Sequence, residues 1–249
     1  MAAMDFFERQ WGSYRAIVEN DLMEHQAVAR ATAEAIEGWL RARAADTARP
    51  HMVDLGCGDL ALLAPLLQRL PLASYTGLDL SAAVLPLAQR ALGDVAYPCH
   101  WIEGDLLAWA TGELERADDA AGMPAKVDIL HSAFAIHHLT GAQKATFLQA
   151  ARQRIAPGGL FIWVDVFCQP GEARESYIAR YQQRIATGWH QLTAEQQEHV
   201  SNHLAAYDMP ADRAAIAEIA ASAGWHWRWG WQGAHQAEAL AVLTAQGQA

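Results

Sequence analysis

The chain has 249 residues, 52% hydrophobic and 18% charged, which suits one large domain, or one domain with an elaboration, rather than a disordered chain. A net charge of −10 argues against a surface built to collect phosphates, so nucleic acid is not expected as the partner. No stretch approaches the ~20 apolar residues of a membrane span, MAAMDFFERQW lacks a signal-peptide pattern, and three cysteines (Cys57, Cys99, Cys168) point to a reducing, cytoplasmic setting.

Residues 4–48 have helical period and many charges, and Pro50 stops them. Next come a short apolar run ending in glycine (MVDLG), a helix (LALLAPLLQRL) and a strand (SYTGLDL). A helix (AAVLPLAQRAL) and a third strand (YPCHWIEGDL) follow. TGELERADDAAGMPA reads as a loop or frayed helix. KVDILHSAFAIHHL is a buried strand and loop, AQKATFLQAARQRI a helix and GGLFIWVDVF a strand. Alternating strands and helices imply a parallel sheet covered on both faces. Residues 169–208 form a long polar helical insertion, Ala211–Gly224 one more helix, and WHWRWGW and ALAVLTA two closing strands able to pair antiparallel. The expected architecture is α/β and Rossmann-like, with a seven-stranded, mostly parallel sheet. Within a single domain, residues 1–48 form a helical lid, 51–166 a ligand-binding core, 169–208 the insertion after strand five and 210–249 the closing elements.

The first strand runs into Asp54-Leu55-Gly56-Cys57-Gly58-Asp59-Leu60-Ala61. Glycines between a strand and a helix let a ligand approach the backbone, and the segment satisfies the dinucleotide pattern G-x-G-x-x-G/A. Asp54 and Asp59 count against a pyrophosphate there and would welcome a positive centre. The second strand ends at Asp79, where a carboxylate can accept from both ribose hydroxyls. The third ends at Asp105, which can accept from an adenine amino group while Leu106 packs on the ring. Each acid alone also reads as a helix cap or turn residue; three successive strands ending in an acid is a less ordinary pattern.

This ordered set resembles the class I S-adenosylmethionine-dependent methyltransferases of small molecules, over about residues 51–166. VDLGCG is similar to the family's first motif, GLDLS to its ribose acid, EGDL to its adenine acid and SAFAIHHL to the segment after strand four; IAPGGLFIWVD is similar to the turn into strand five. Leu60 stands where the family has a third glycine. The resemblance implies that Asp54, Gly56, Cys57 and Gly58 surround the methionine portion of the cofactor. It places Asp79 and Leu80 at the ribose, Asp105 and Leu106 at the adenine, and Ser132 on the cofactor side of the following segment. A leading helix that closes over the cofactor would bring Tyr14 to it.

Methyl transfer from a sulfonium is an in-line displacement, and a base is needed only for a protonated nucleophile. His137 and His138, after strand four, and Asp165, at the tip of strand five, are the candidates. Arg174, Tyr177 and Tyr181 share a helical face and would suit an anionic acceptor. His199 and His203 are spaced i, i+4, but no carboxylate or cysteine accompanies them in a recognised spacing, so they read as a solvated face and no metal is expected. Trp225, Trp227, Trp229 and Trp231 alternate on one strand, which sends all four to one face as core. The function expected is transfer of a methyl group from S-adenosylmethionine to a small molecule. The alternatives are a nicotinamide-dependent oxidoreductase and a non-catalytic binding protein of the same fold. The sequence leaves the oligomeric state open.

Overall fold

The structure, a computed structural model, describes residues 11–44, 47–114 and 126–245. The first ten residues of the expected lid and most of the polar insertion, 115–125, lie outside the described residues. The N-terminal helical stretch is two helices, α1 (Trp11–Glu19) and α2 (His25–Ala42). Between them Asp21 and Glu24 take left-handed φ values of 55° and 57°, a conformation that ends one helix and redirects the next.

From β1 (His51–Leu55) the chain alternates through α3 (Ala64–Leu67), β2 (Ser74–Asp79), α4 (Leu85–Leu92), β3 (Cys99–Glu103), α5 (Leu106–Thr111) and β4 (Val127–Ala133). After a 3-10 turn at Ile136–His138 come α6 (Gly141–Arg154) and β5 (Ile155–Cys168). The helix expected over residues 60–70 shrinks to α3. Pro65 occupies its first turn, and Leu60 holds φ at 58°, so helical geometry cannot start earlier. In α4, Pro86 likewise marks a first turn rather than an interior position.

The insertion is a helix pair, α7 (Arg174–Gly188) and α8 (Ala194–Tyr207). The short β6 (Ala211–Asp212), α9 (Arg213–Ser222), β7 (Trp225–Gln232) and β8 (Glu238–Ala245) complete the chain. The sheet runs β3-β2-β1-β4-β5-β8-β7, with β6 paired to β5 off that path. β1 to β5 are mutually parallel, and β8 is antiparallel to both β5 and β7. The mostly parallel α/β architecture is the one expected, with seven strands on that path and the two-residue β6 as an eighth.

Apolar side chains on both sheet faces dictate the layers. On one face Trp109 of α5, Phe147 and Leu148 of α6, and Ile216 of α9 pack with Phe161, Trp163 and Trp225. On the other, Val28 and Ile36 of α2, Leu67 of α3 and Leu92 of α4 pack with Met52, Ile129 and Ile162. Each such burial contributes about 1.5–3 kcal/mol. A third cluster joins Ile17, Tyr177, Tyr181, Ile185 and Leu204 to Val166 and Cys168, seating the helix pair over the end of β5.

The four tryptophans of β7 do not share one face. The register shifts between Trp229 and Trp231, so Trp225 and Trp227 join the first cluster and Trp231 packs against the second. Gly230 lies at this irregularity, where a Cβ would come within 2.8 Å of Leu240. Trp229 is 37% exposed, with Arg213 over its ring.

Candidate active site

The carboxyl ends of β1 to β4 open into one cavity of about 410 Å³, in the size range of small-molecule sites. The turn after β1 is held by the Leu78 carbonyl, which accepts from the Gly56 and Cys57 N–H groups at 2.8 and 3.0 Å. Gly56 has φ 73°, and a Cβ there would lie 2.5 Å from the Ala135 Cβ, so only glycine fits. Leu60, where the third glycine would stand, adopts the left-handed conformation that glycine adopts freely. Its side chain is buried in the second cluster, and that burial offsets a backbone cost of about 1–2 kcal/mol.

Asp79 sits at the tip of β2 with its carboxylate built into this turn. Oδ2 accepts from the Gly58 N–H and Oδ1 from the Ser81 N–H, both at 2.9 Å. Burial raises its pKa, against the pull of those backbone donors. The Leu80 N–H also acts on this carboxylate, which keeps acceptor capacity for a further donor. Asp105 caps α5, its Oδ1 accepting from Leu107 and Ala108 N–H at 2.8 and 2.9 Å. The capping role and the cavity-facing position coexist in this residue.

Behind the turn, Asp54 is buried between two partners. His131 Nδ1 lies 2.6 Å from its Oδ1, and the Tyr75 hydroxyl donates to its Oδ2 at 3.0 Å. Burial, then the Asp54 charge, pushes the Tyr75 phenol up, so it stays a donor. Sequence reasoning missed both partners, although His131 is the cross-strand neighbour of Asp54 once β1 is paired with β4.

The lid helices close the cavity from above with Tyr14, His25, Val28, Ala29 and Thr32. Burial, then Asp59 and Asp79, raises the Tyr14 phenol well above its ordinary range. His25 packs edge-on against Phe134, ring centroids 5.4 Å apart. Burial lowers its pKa to about 4, with Asp21 and Glu238 opposing more weakly. The unfolded chain, with a pKa of ~6.5, therefore binds this proton first. The contribution to stability is full above ~6.5 and is lost as pH falls towards about 4. Between pH 7.5 and 5.5, urea unfolding of the wild type should lose roughly 1 kcal/mol more than that of His25→Gln. Equal losses would mean that His25 takes up its proton in the folded state.

On the far wall, His137 Nδ1 lies 2.6 Å from Asp165 Oδ1, and the His137 N–H donates to Oδ2 at 2.9 Å. Trp163 Nε1 and the Val166 N–H also donate to Asp165, each at 2.9 Å. Burial pulls the His137 pKa down, and the Asp165 and Asp208 carboxylates more than reverse this, leaving it raised. Beside it, His138 reaches the cavity; burial, then His137 and His203, lowers its pKa to about 2.

A methyltransferase-domain family model matches residues 53–161, the stretch that builds β1 to β5 and their connections. Over those residues the chain is similar to the methyltransferase domain. An uncharacterised methyltransferase of Geobacillus kaustophilus is 27% identical over 191 residues, 76% of this chain and 77% of that protein. Trans-aconitate 2-methyltransferase of Azoarcus sp. is 33% identical over 109 residues, 44% of this chain and 36% of that protein. The chain spans about a third of the length of the first curated relatives it matches, 31% and 36%. Magnesium protoporphyrin IX methyltransferase of Synechocystis, solved with bound S-adenosylhomocysteine, superposes with a TM-score of 0.62 at 16% identity, covering 98% of this chain and 99% of that one. At that identity the likeness is one of fold.

The structure brings Tyr14, Asp54, Gly56, Cys57, Gly58, Asp79, Leu80, Asp105 and Leu106 to one cavity. Ser132 is not among its lining residues: it is fully buried, and its hydroxyl donates to the Leu55 carbonyl at 2.8 Å, tying β4 to β1. Asp165 is also fully buried and works on His137 rather than facing the cavity, and His137 stands behind His138.

The acceptor stripe lies elsewhere. Arg174 donates to the Asp208 and Ala205 carbonyls, both at 2.7 Å, and so caps the end of α8. Tyr177 and Tyr181 are buried in the third cluster, with the Tyr181 hydroxyl on Glu238 at 2.7 Å. The helical spacing was compatible with an exposed face, but packing over β5 turned that face inward.

His203 departs from its expected solvated position. It lines the cavity, its ring 5.2 Å from that of His138, while His199 does not line it. The carboxylate missing from the sequence spacing is Asp208, beyond the end of α8, whose Oδ1 lies 3.5 Å from His203 Nε2.

Proposed function

We propose that the chain binds S-adenosylmethionine in this cavity and transfers its methyl group to a small-molecule acceptor. The carrying observation is the convergence of three strand-end acids on one cavity, with a glycine turn held by one of them. When bound, the cofactor supplies an electrophilic methyl group on a positively charged sulfur.

The residues fit that group. Asp79 keeps acceptor capacity beyond its backbone donors for the ribose hydroxyls. The second oxygen of Asp105 is free of the helix cap for an amino group, beside the apolar Leu106. Asp54, Asp59 and Asp79 give the turn a negative field that favours a sulfonium over a pyrophosphate. Tyr14 and α2 exclude water, which strengthens those charges and keeps the methyl from hydrolysis.

No lysine or arginine lines the cavity among the described residues. With Arg174 spent on α8, the anionic acceptor it suggested loses its support. His138 is the imidazole that faces the cavity, and its neighbours His137 and His203 add to burial in lowering its pKa, which weakens it as a proton acceptor. This favours a nucleophile that arrives deprotonated or is ionised by another group. The three cysteines are all free, in keeping with a reducing, cytoplasmic location, and among the described residues no helix is long and apolar enough to cross a membrane.

Calorimetric titration with S-adenosylmethionine, S-adenosylhomocysteine and NAD tests the cofactor. Binding of the first two with NAD inert is the expected result; binding of NAD alone would overturn it. Failure to form S-adenosylhomocysteine with a panel of phenol, amine, thiol and enolate acceptors would leave a binding protein of the same fold.

A further inference from the structure

We propose that His137, His138, His203 and Asp208 form a binding site for one divalent transition cation, with Zn²⁺ the best match, at the wall of the cavity. Asp208 Oδ1 is the centre of the group. His203 Nε2 lies 3.5 Å from it, His137 Nε2 3.6 Å and His138 Nδ1 4.0 Å, and the four ligand atoms all lie within 4.8 Å of one another. These separations are too long for hydrogen bonds. They are close to the ~3.3–3.5 Å between neighbouring ligands of a tetrahedral ion with ~2.0–2.1 Å bonds. Side-chain rotations that draw the imidazoles in by up to about 1–1.5 Å would complete the shell.

Two further observations support an ion. Asp208 Oδ1 is a buried carboxylate oxygen with no hydrogen-bond partner, an arrangement that is costly unless something else satisfies it. His137 also has the support typical of a metal-bound imidazole: Asp165 holds its Nδ1 at 2.6 Å, which leaves Nε2 to face Asp208. The segments that carry the ligands are preset. The Met209 N–H donates to the His137 carbonyl at 2.8 Å, and Lys144 donates to the carbonyls of His137, Leu139 and Met209. That ammonium is thereby engaged with backbone oxygens, and Asp165 and Asp208 balance the charge of the ion.

Three imidazoles and one carboxylate suit Zn²⁺ better than Mg²⁺ or Ca²⁺, which prefer oxygen. His138 and His203 line the cavity, so the ion would border the space left for the acceptor and supply the positive charge that the lining side chains lack. The acceptor class it favours carries an oxygen, nitrogen or sulfur able to ligate the metal and to ionise there. The site itself stands independently of the methyltransferase reading.

The test is titration of the chelator-stripped full chain with Zn²⁺, and with Co²⁺ as a spectroscopic probe. The expected result is one equivalent per chain, with the visible absorption of a tetrahedral Co²⁺ complex. His203→Ala should weaken binding at least tenfold, and Asp165→Asn by about 10–100-fold through loss of His137 support. His199→Ala, on the same helix, should bind as the wild type does. Circular dichroism checks folding, and His203→Gln replaces any variant that fails to fold. Less than half an equivalent bound by the wild type, or His203 variants that bind undiminished, would overturn the site. Titration of the same metal-free protein with S-adenosylhomocysteine reports separately on the cofactor reading.

Discussion

Asp79→Ala should weaken S-adenosylmethionine binding by about 2–4 kcal/mol, the loss expected if, as proposed, its carboxylate accepts from both ribose hydroxyls. The same carboxylate accepts from Gly58 and Ser81, so the substitution also leaves two turn N–H groups without their acceptor. A stability loss of about 1–3 kcal/mol should accompany it, read by urea unfolding. Asp79→Asn separates the two effects. Its amide oxygen can still hold one N–H, while its NH₂ cannot accept from a hydroxyl, so it should recover more stability than affinity. Wild-type affinity in a folded Asp79→Ala protein would remove this residue from the cofactor site.

Asp165→Ala is expected to be the more damaging change to the fold. Four donors converge on this fully buried carboxylate: the His137 ring and N–H, Trp163 Nε1 and the Val166 N–H. Their simultaneous loss of an acceptor in a site closed to water should cost about 3–5 kcal/mol. Denaturant unfolding measures it directly. A loss below about 1 kcal/mol would mean that water replaces the carboxylate and that the pocket is open.

What the sequence determined was local or periodic. Alternation of strand and helix runs, the glycine turn at Gly56 and acids three strands in a row depend on residues that stay near one another along the chain. Parallel strands bring their carboxyl ends to one edge whatever the loops do, so the cavity at Asp54, Asp79 and Asp105 was legible beforehand. Leu60 is the local exception: its left-handed backbone is tolerated because the tertiary core buries its side chain.

Tertiary structure decided everything that depends on which face of an element meets which neighbour. Arg174, Tyr177 and Tyr181 share a face by spacing alone, yet only the docking of α7 over β5 showed two of them buried and the third capping α8. Trp231 followed the alternation until the irregularity beside Gly230 rotated it to the opposite face. Asp54 met Tyr75 and His131 across 21 and 77 residues of chain. Asp208 likewise reached His137 only because α7 and α8 fold back over the sheet edge. Spacing rules carry no information about such partners: the contacts are set by packing of apolar surfaces remote from the polar groups they bring together.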